Sequence, residues 1–376
     1  MAEWFECTLG DAITLQRGKD LPKRKMKKGV YPVVGSNGII GYHNEFTTEN
    51  PSITIGRSGN VGNPFIHYGK TWSHNTTLYV KDFKENNPIF IFYFLKTLNL
   101  SNYAGGSAVP TLNRNHINTL PIKIPDLYTQ NKIATFLKRL DDKIEINNKI
   151  NNNLLEQADS IFKSWFIDFK PFNNKFPTDW NNGTIEDLSE EIICGKTPST
   201  KKKEYYGNDI PFITIPDMHN STYIIKTERY LSVLGADSQL KKTLPKNSIC
   251  VSCIGTAGLV SLVSIDSQTN QQINSIIPKK NISPYYIYLL MRGKYDEINK
   301  YGQGGSTIVN LNKREFSKLE VTIPSNDILL KFDKIVKPMF EVILNNQNEN
   351  EKLSNLRDYL LPNLINGVID VSQIDI

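Results

Sequence analysis

Four groups of residues have types and spacings that could do chemistry, and each has a plainer reading beside it. Asn87-Pro88-Ile89-Phe90 is close to an Asn-Pro-Pro-Phe tetrapeptide, the type that serves amino-group methylation, but it departs at the third residue. Ser283-Pro284-Tyr285-Tyr286 stands in the corresponding place of the second half. Asn or Ser followed by Pro is the ordinary opening of a helix, a cap and then a first turn. Gly302, Gly304 and Gly305 suggest a nucleotide cradle, yet Thr307 occupies the place where G-x-G-x-x-G needs its last glycine. Tyr103-Ala104-Gly105-Gly106 in the first half shows that what recurs is Gly-Gly-Ser before a strand. A turn is one reading and a phosphate contact through Ser107 and Ser306 is a second; the two are compatible. Cys250 and Cys253 form a C-x-x-C without a second pair, so a zinc site lacks two ligands. His43, His67, His74, His116 and His219 show no metal-ligand spacing. The expectation is no catalytic residue, no metal and no cofactor on this chain.

The remaining polar groups suit recognition. Trp72-Ser73-His74-Asn75-Thr76-Thr77 is a polar loop whose counterpart is Asn270-Gln271-Gln272-Ile273-Asn274. Asn and Gln can make paired hydrogen bonds to an adenine edge, and Arg or Lys to guanine. His74, Asn75, Gln271 and Gln272 are therefore candidate contacts to DNA bases, against a structural role for the same amides in the loops. Arg57-Ser58-Gly59-Asn60 and its counterpart Cys253-Ile254-Gly255-Thr256 add Arg57, Asn60 and Thr256. Asn113-Arg114 and Asn312-Lys313 add four more. Lys23, Arg24 and Lys25, with Lys201 and Lys202, lie in basic runs suited to backbone phosphates, or to a solvated loop.

These loops need elements to hold them. From Ile133 apolar residues step by four and three through Leu137, Leu140 and Ile144, and again through Leu154, Ala158, Ile161 and Trp165. Asn147 and Asn151 fill the two positions between. The spacing predicts one long helix over residues 129–170 with the narrow seam of a coiled coil. Adding 199 gives Phe332, Val336, Met339, Ile343, Asn346, Asn350, Leu353, Arg357, Leu360 and Leu364, a second such seam. Asparagines at matching layers would fix the register of the pair. A helix of ~40 residues is roughly 60 Å long. Trp165, Phe166 and Leu361, near the helix ends, read as helix packing.

The duplication extends beyond the helices. Trp4…Thr8-Leu9-Gly10-Asp11 matches Trp180…Thr184-Ile185-Glu186-Asp187 at an offset of 176, and the Gly-Gly-Ser segments match at 199. The second copy thus carries a net insertion of 23 residues, and the copies differ most in their middles. Those middles predict short strands near residues 39–42, 52–55, 77–80, 211–215, 248–251, 258–264 and 273–277, and helices at 88–97 and 284–292. The linker Pro171-Phe172-Asn173-Asn174-Lys175-Phe176-Pro177 separates the halves.

Composition is that of a folded protein, with 22% charged and 10% aromatic residues. Residues 1–128 carry a net +5 and 171–326 a net +3, against +1 for 129–170 and −3 for 327–376. A basic excess on the two divergent blocks fits a polyanion partner. The acidic N-terminus does not read as a signal peptide, and the longest apolar run, residues 88–95, is too short to cross a bilayer. Four scattered cysteines point to reduced thiols and a cytoplasmic location.

Gln130-Asn131-Lys132-Ile133-Ala134, Leu140-Asp141-Asp142-Lys143-Ile144-Glu145 and Phe162-Lys163-Ser164-Trp165-Phe166-Ile167-Asp168-Phe169 together resemble the central region of type I restriction–modification specificity subunits. Leu360-Leu361-Pro362-Asn363-Leu364-Ile365-Asn366-Gly367 is similar to that family's C-terminal region, and residues 31–41 to its first recognition domain. The resemblance covers essentially the whole chain. It departs at Leu329, where the first copy has Gln130. It implies an α/β (α+β) protein with two β-rich target-recognition domains separated by two long antiparallel helices in a pseudo-twofold coiled coil. The domains are then 1–128, 129–170 (spacer helix), 171–326 and 327–376 (second helix and tail). It also implies binding of a bipartite duplex DNA target and assembly with two methyltransferase subunits and restriction (nuclease and translocase) subunits. S-adenosylmethionine, ATP and Mg would sit on those partners. Independently of the family, a rod of roughly 60 Å exceeds one DNA turn of about 34–36 Å, so unlike ends would read two half-sites across a gap. The rivals are a single-chain DNA methyltransferase or nuclease, for which no cofactor loop or acidic ligand cluster is found, and a coiled-coil adaptor binding proteins only.

Overall fold

Two helices of 40 residues each, Leu127–Phe166 and Asn326–Ile365, organise the computed structural model, which describes residues 3–106, 110–300 and 309–371. The first starts two residues ahead of the expected Thr129 and stops four short of Lys170. Asp126 sets the start, because its carboxylate accepts from the Thr129 N–H and hydroxyl, both at 2.9 Å. At the other end Phe169 takes a left-handed backbone (φ 52°), and Pro171 follows with no N–H to donate.

The chain divides into two units, Met1–Lys143 with Leu353–Ile376, and Ile144–Lys352. The division cuts both helices, so each unit owns a piece of each. Within the second unit Asn147 donates to Asn350 (2.9 Å) and Glu349 (2.7 Å), and Asn346 donates to Asn151 (2.9 Å). Residue 147 meets 350 while 151 meets 346, so the two pieces run in opposite directions. Ala158, Phe162, Phe332, Val336, Phe340 and Ile343 continue that contact as buried core. In the first unit Ile133, Leu137 and Leu364 belong to one core, and Arg357 pairs with Asp141 at 2.6 Å.

Each unit repeats one plan. In the first, Trp4–Thr8 pairs antiparallel with Pro121–Pro125, immediately before the long helix. In the second, Asn181–Thr184 pairs with Glu320–Ile323 in the same way. Thr8 and Thr184 then form the same capping box with Asp11 and Asp187. A mainly antiparallel sheet follows, ordered Thr14–Arg17, Thr77–Asp82, Ser52–Gly56, Pro64–His67. Its counterpart runs Ser189–Cys194, Ile273–Pro278, Ile249–Ser252, Val260–Val263, with Tyr223–Ile224 added at the edge. Each unit also has a smaller sheet containing one parallel pair, Val33-Val34 with Trp72-Ser73 and Phe212-Ile213 with Gln268-Thr269. This mixed helix-and-strand architecture is the expected one.

The helix Pro88–Thr97 lies where its Pro and Asn87 cap place it, and Pro284–Gly293 runs one residue longer than expected. The strand expected over 211–215 is Ile210–Ile213. It ends early because Thr214 begins a new helix, with its N–H and hydroxyl both 2.7 Å from the Asp217 carboxylate. The insertion falls largely between Ile213 and Ile249. There the second unit carries the helices Ile215–Met218 and Val233–Asp237, where the first has only the edge strand Gly38–His43 and a loop.

Candidate nucleic-acid interface

Three predicted segments of the first unit are hydrogen-bonded side by side. The Arg57 N–H donates to Thr76 O at 2.8 Å, and the Leu112 N–H donates to Arg57 O at 2.9 Å. The second unit repeats the stitch: Cys253 N–H to Gln272 O at 2.8 Å and Leu311 N–H to Cys253 O at 3.0 Å. Loop 74–76 therefore corresponds to 270–272, turn 57–60 to 253–256, and segment 111–114 to 310–313. The turns close alike, with Gly59 and Gly255 at φ 85° and 79°, a region open to glycine at little cost. At Gly62, also left-handed (φ 82°), a Cβ would lie 2.3 Å from the Ser101 backbone nitrogen, so only hydrogen fits.

Side chains on this common frame differ between the units. His74 is half-buried, with Nδ1 3.2 Å from the Thr76 hydroxyl, and burial lowers its pKa despite the opposing charge of Asp20. Asn75 donates to Asp20 at 2.7 Å. Gln271 is exposed and accepts from the Thr197 hydroxyl at 2.7 Å, and Gln272 accepts from Asn270 at 3.0 Å. The amides of both loops are thus partly held in place by neighbours, which lowers the rotamer entropy any further contact would cost. Asn60 accepts from Asn63, and Thr256 is exposed.

Asn113 and Asn312 prove to be helix caps. Asn113 Oδ1 accepts from the Asn115 N–H and Asn312 Oδ1 from the Glu315 N–H, both at 3.0 Å. One lone pair of each amide oxygen is thus taken, and the amide nitrogen of Asn312 donates to Glu315 at 2.8 Å. Arg114 and Lys313, one residue on, are exposed. Lys23, Arg24 and Lys25 form an exposed single turn. Lys201 is exposed, and Lys202 donates to the Tyr205 hydroxyl at 2.9 Å while lying over that ring. Ser107 and Ser306 lie outside the described residues, as do Gly302, Gly304, Gly305 and Thr307. For the first copy, Ala104–Gly105 pairing with Thr111–Leu112 fits the turn reading.

Asn87 accepts from the N–H groups of Ile89 and Phe90 at 2.8 and 3.0 Å, so it is a cap and its Asn-Pro start carries no catalytic geometry. Cys250 and Cys253 are buried free thiols, each pushed up to about 12 chiefly by burial. Among the described residues no three His, Cys, Asp or Glu side chains are grouped to hold a metal, and no helix is long and apolar enough to cross a membrane.

Arg17 is the residue that sequence reasoning missed. It ends the strand Thr14–Arg17 opposite Leu78 and lines one depression of about 460 Å³ with Arg57 and Arg114. Its only sequence signal is its place before Gly18, the counterpart of Cys194 before Gly195.

A protein-family model described as the type I restriction modification DNA specificity domain matches residues 1–156 and again 177–357. The two matches follow the duplication, and the chain belongs to this family of type I specificity subunits. It is 37% identical to the type I restriction enzyme HindI specificity subunit of Haemophilus influenzae, over 75% of this chain and 77% of that one. It is 30% identical to the MjaIX specificity subunit of Methanocaldococcus jannaschii, over 76% and 70%. The crystal structure of a type I restriction–modification S subunit from M. genitalium shares the fold, with a TM-score of 0.66 and 17% identity over 97% of this chain and 96% of that one.

Proposed function

We propose that this chain reads a bipartite duplex DNA target, one part with each unit, and that it contributes no catalysis of its own. The observation that carries this is the doubled three-segment face: one backbone frame, stitched by the same hydrogen bonds, bearing unlike side chains. A common frame gives both units the same approach to a duplex, and unlike side chains give each a different set of base edges. His74, Asn75 and Asn60 serve the first unit, with Arg57 beside them on the same face; Gln271, Gln272, Thr256 and Lys313 serve the second. The basic runs Lys23–Lys25 and Lys201–Lys202 add phosphate contacts.

The two long helices carry the methyltransferase subunits and, in the full enzyme, the restriction subunits. S-adenosylmethionine, ATP and Mg belong to those partners, and the assembly works in the cytoplasm. The helices also set the unread gap between the two half-sites. Mapping methylated adenines across a host genome, with and without this chain, tests the reading: a split motif is expected only in its presence. One heptad inserted into both helices is expected to lengthen the gap while leaving both half-sites unchanged. Methylation by the purified chain alone, or no change of motif on deleting it, overturns the proposal.

A further inference from the structure

We propose that the depression lined by Arg17, Arg57 and Arg114 is an anion pocket that grips one DNA backbone phosphate, and that the second unit does not repeat its three arginines. The inference rests on the DNA-reading function above. It adds a residue, a ligand group and an asymmetry to that function.

Three separate elements contribute one arginine each to the lining. Arg17 comes from a strand whose register sets it opposite Leu78. Arg57 opens the turn that hydrogen-bonds to Thr76 and Leu112. Arg114 begins the short helix Arg114–Asn118 and reaches back to Leu15 O, with Nη1 at 3.3 Å. None of the three meets a carboxylate among the described residues. Arg57 is half-buried, and its pKa is lowered first by that burial and then by the charge of Arg17. Cations held close without a counterion are mutually repulsive, and a bound anion removes that repulsion while gaining charge-assisted hydrogen bonds. A guanine edge offers two acceptors and takes one arginine fork, whereas a phosphate accepts from several donors around it. Three arginines bordering one concave site fit the phosphate.

The shared backbone frame identifies what stands in the other unit. Arg17 corresponds to Cys194, Arg57 to Cys253, Leu78 to Asn274 and Arg114 to Lys313. Cys253 is a buried neutral thiol, Asn274 is buried and donates to Leu311 O at 3.0 Å, and only Lys313 keeps a charge. Of the three arginine positions only the one held by Lys313 keeps a charge in the second unit, and a different cation, Lys242, donates to Cys194 O at 2.9 Å.

The test measures binding of the full chain, alone and assembled with its methyltransferase partner, to a short duplex carrying the mapped target, over a range of salt. Arg17→Gln, Arg57→Gln and Arg114→Gln are each expected to weaken binding on the order of tenfold and to lower the salt slope by about one. Cys194→Ser is expected to change neither. A thermal melt matching the parent shows that each variant folds. A neutral methylphosphonate at the gripped position is expected to erase the difference between parent and Arg17→Gln. If 7-deazaguanine erases it and no methylphosphonate does, the pocket reads a base and the phosphate assignment is overturned. If the parent binds and the triple variant keeps its full salt slope, the pocket is overturned and DNA reading stands. If the parent binds no duplex in either state, the function itself fails.

Discussion

At one position of the helix pair the two units reach opposite solutions. In the first, Arg357 meets Asp141 at 2.6 Å, and Tyr93 donates its hydroxyl to the same carboxylate at 2.6 Å. In the second, the equivalent residues are Ala158 and Phe340, and Phe340 is buried between Tyr285 and Tyr288 at ring distances of 4.6 and 5.5 Å. One backbone arrangement is closed by charge in one copy and by apolar area in the other. Helix pairing of this kind tolerates either filling as long as each is complete. The half-buried ion pair contributes little net stability against an apolar filling, but breaking it strands a partly desolvated charge.

The sharpest way to break this comparison is to remove one member from each side. Phe340→Ala should destabilise the second unit by about 3–5 kcal/mol, because the ring leaves a cavity. Arg357→Ala should destabilise the first by about 1–2 kcal/mol, since Asp141 is partly reached by water. Chemical denaturation, with hydrogen exchange to locate the loss, checks both. Equal losses would show that the two fillings are not different in kind.

A second contrast lies where the long helices begin. Gln130 is buried, donates to Asn86 (2.8 Å) and Pro125 O (2.9 Å), and accepts from the Asn87 N–H (2.9 Å). The second unit replaces Gln130 with Leu329 and Asn86 with Ile282, both core residues. Converting Gln130→Leu alone should cost about 1–3 kcal/mol by stranding polar partners. Adding Asn86→Ile should restore part of the loss in thermal denaturation. No recovery in the double variant would mean that the two latches are not interchangeable.

The smallest effect is in pH. Burial lowers the pKa of His67 and His74 in the first unit, and their counterparts, Val263 and Asn270, do not titrate. As pH falls below the ordinary histidine value of 6.5, the unfolded chain takes up protons before the folded one, so folding loses stability. Hydrogen exchange around Ser52–Gly56 and Thr77–Asp82 should therefore quicken in mild acid, with no matching contribution at Ile249–Ser252. The paired variant His67→Val and His74→Asn should flatten the dependence.

Sequence alone revealed the features that repeat or keep a strict period. The long seams, the proline-capped helices and the loop-to-loop matches of 74–76 with 270–272 and 57–60 with 253–256 were legible, because each is a local pattern. Asp126 as the helix start was not, since the cap lies outside the periodic stretch. Asn113 and Asn312, read as ligand contacts, also cap short helices, which that reading did not foresee; Asn312 followed by Glu315 is a capping spacing that could have been recognised. Arg17 was invisible because its neighbours depend on strand register and on how Leu112 closes over Arg57. No spacing along the chain encodes that meeting.

The pairing of Trp4–Thr8 with Pro121–Pro125 means that everything between them leaves and returns at one spot, beside the start of a long helix. A foreign stretch grafted between Thr8 and Pro121 has to satisfy that two-stranded seam, the helix side chains Gln130 and Asp141, and the core shared with Ile133 and Leu137. Target choice can thus be rewritten by transplanting one continuous cassette, with the long helices left as they are.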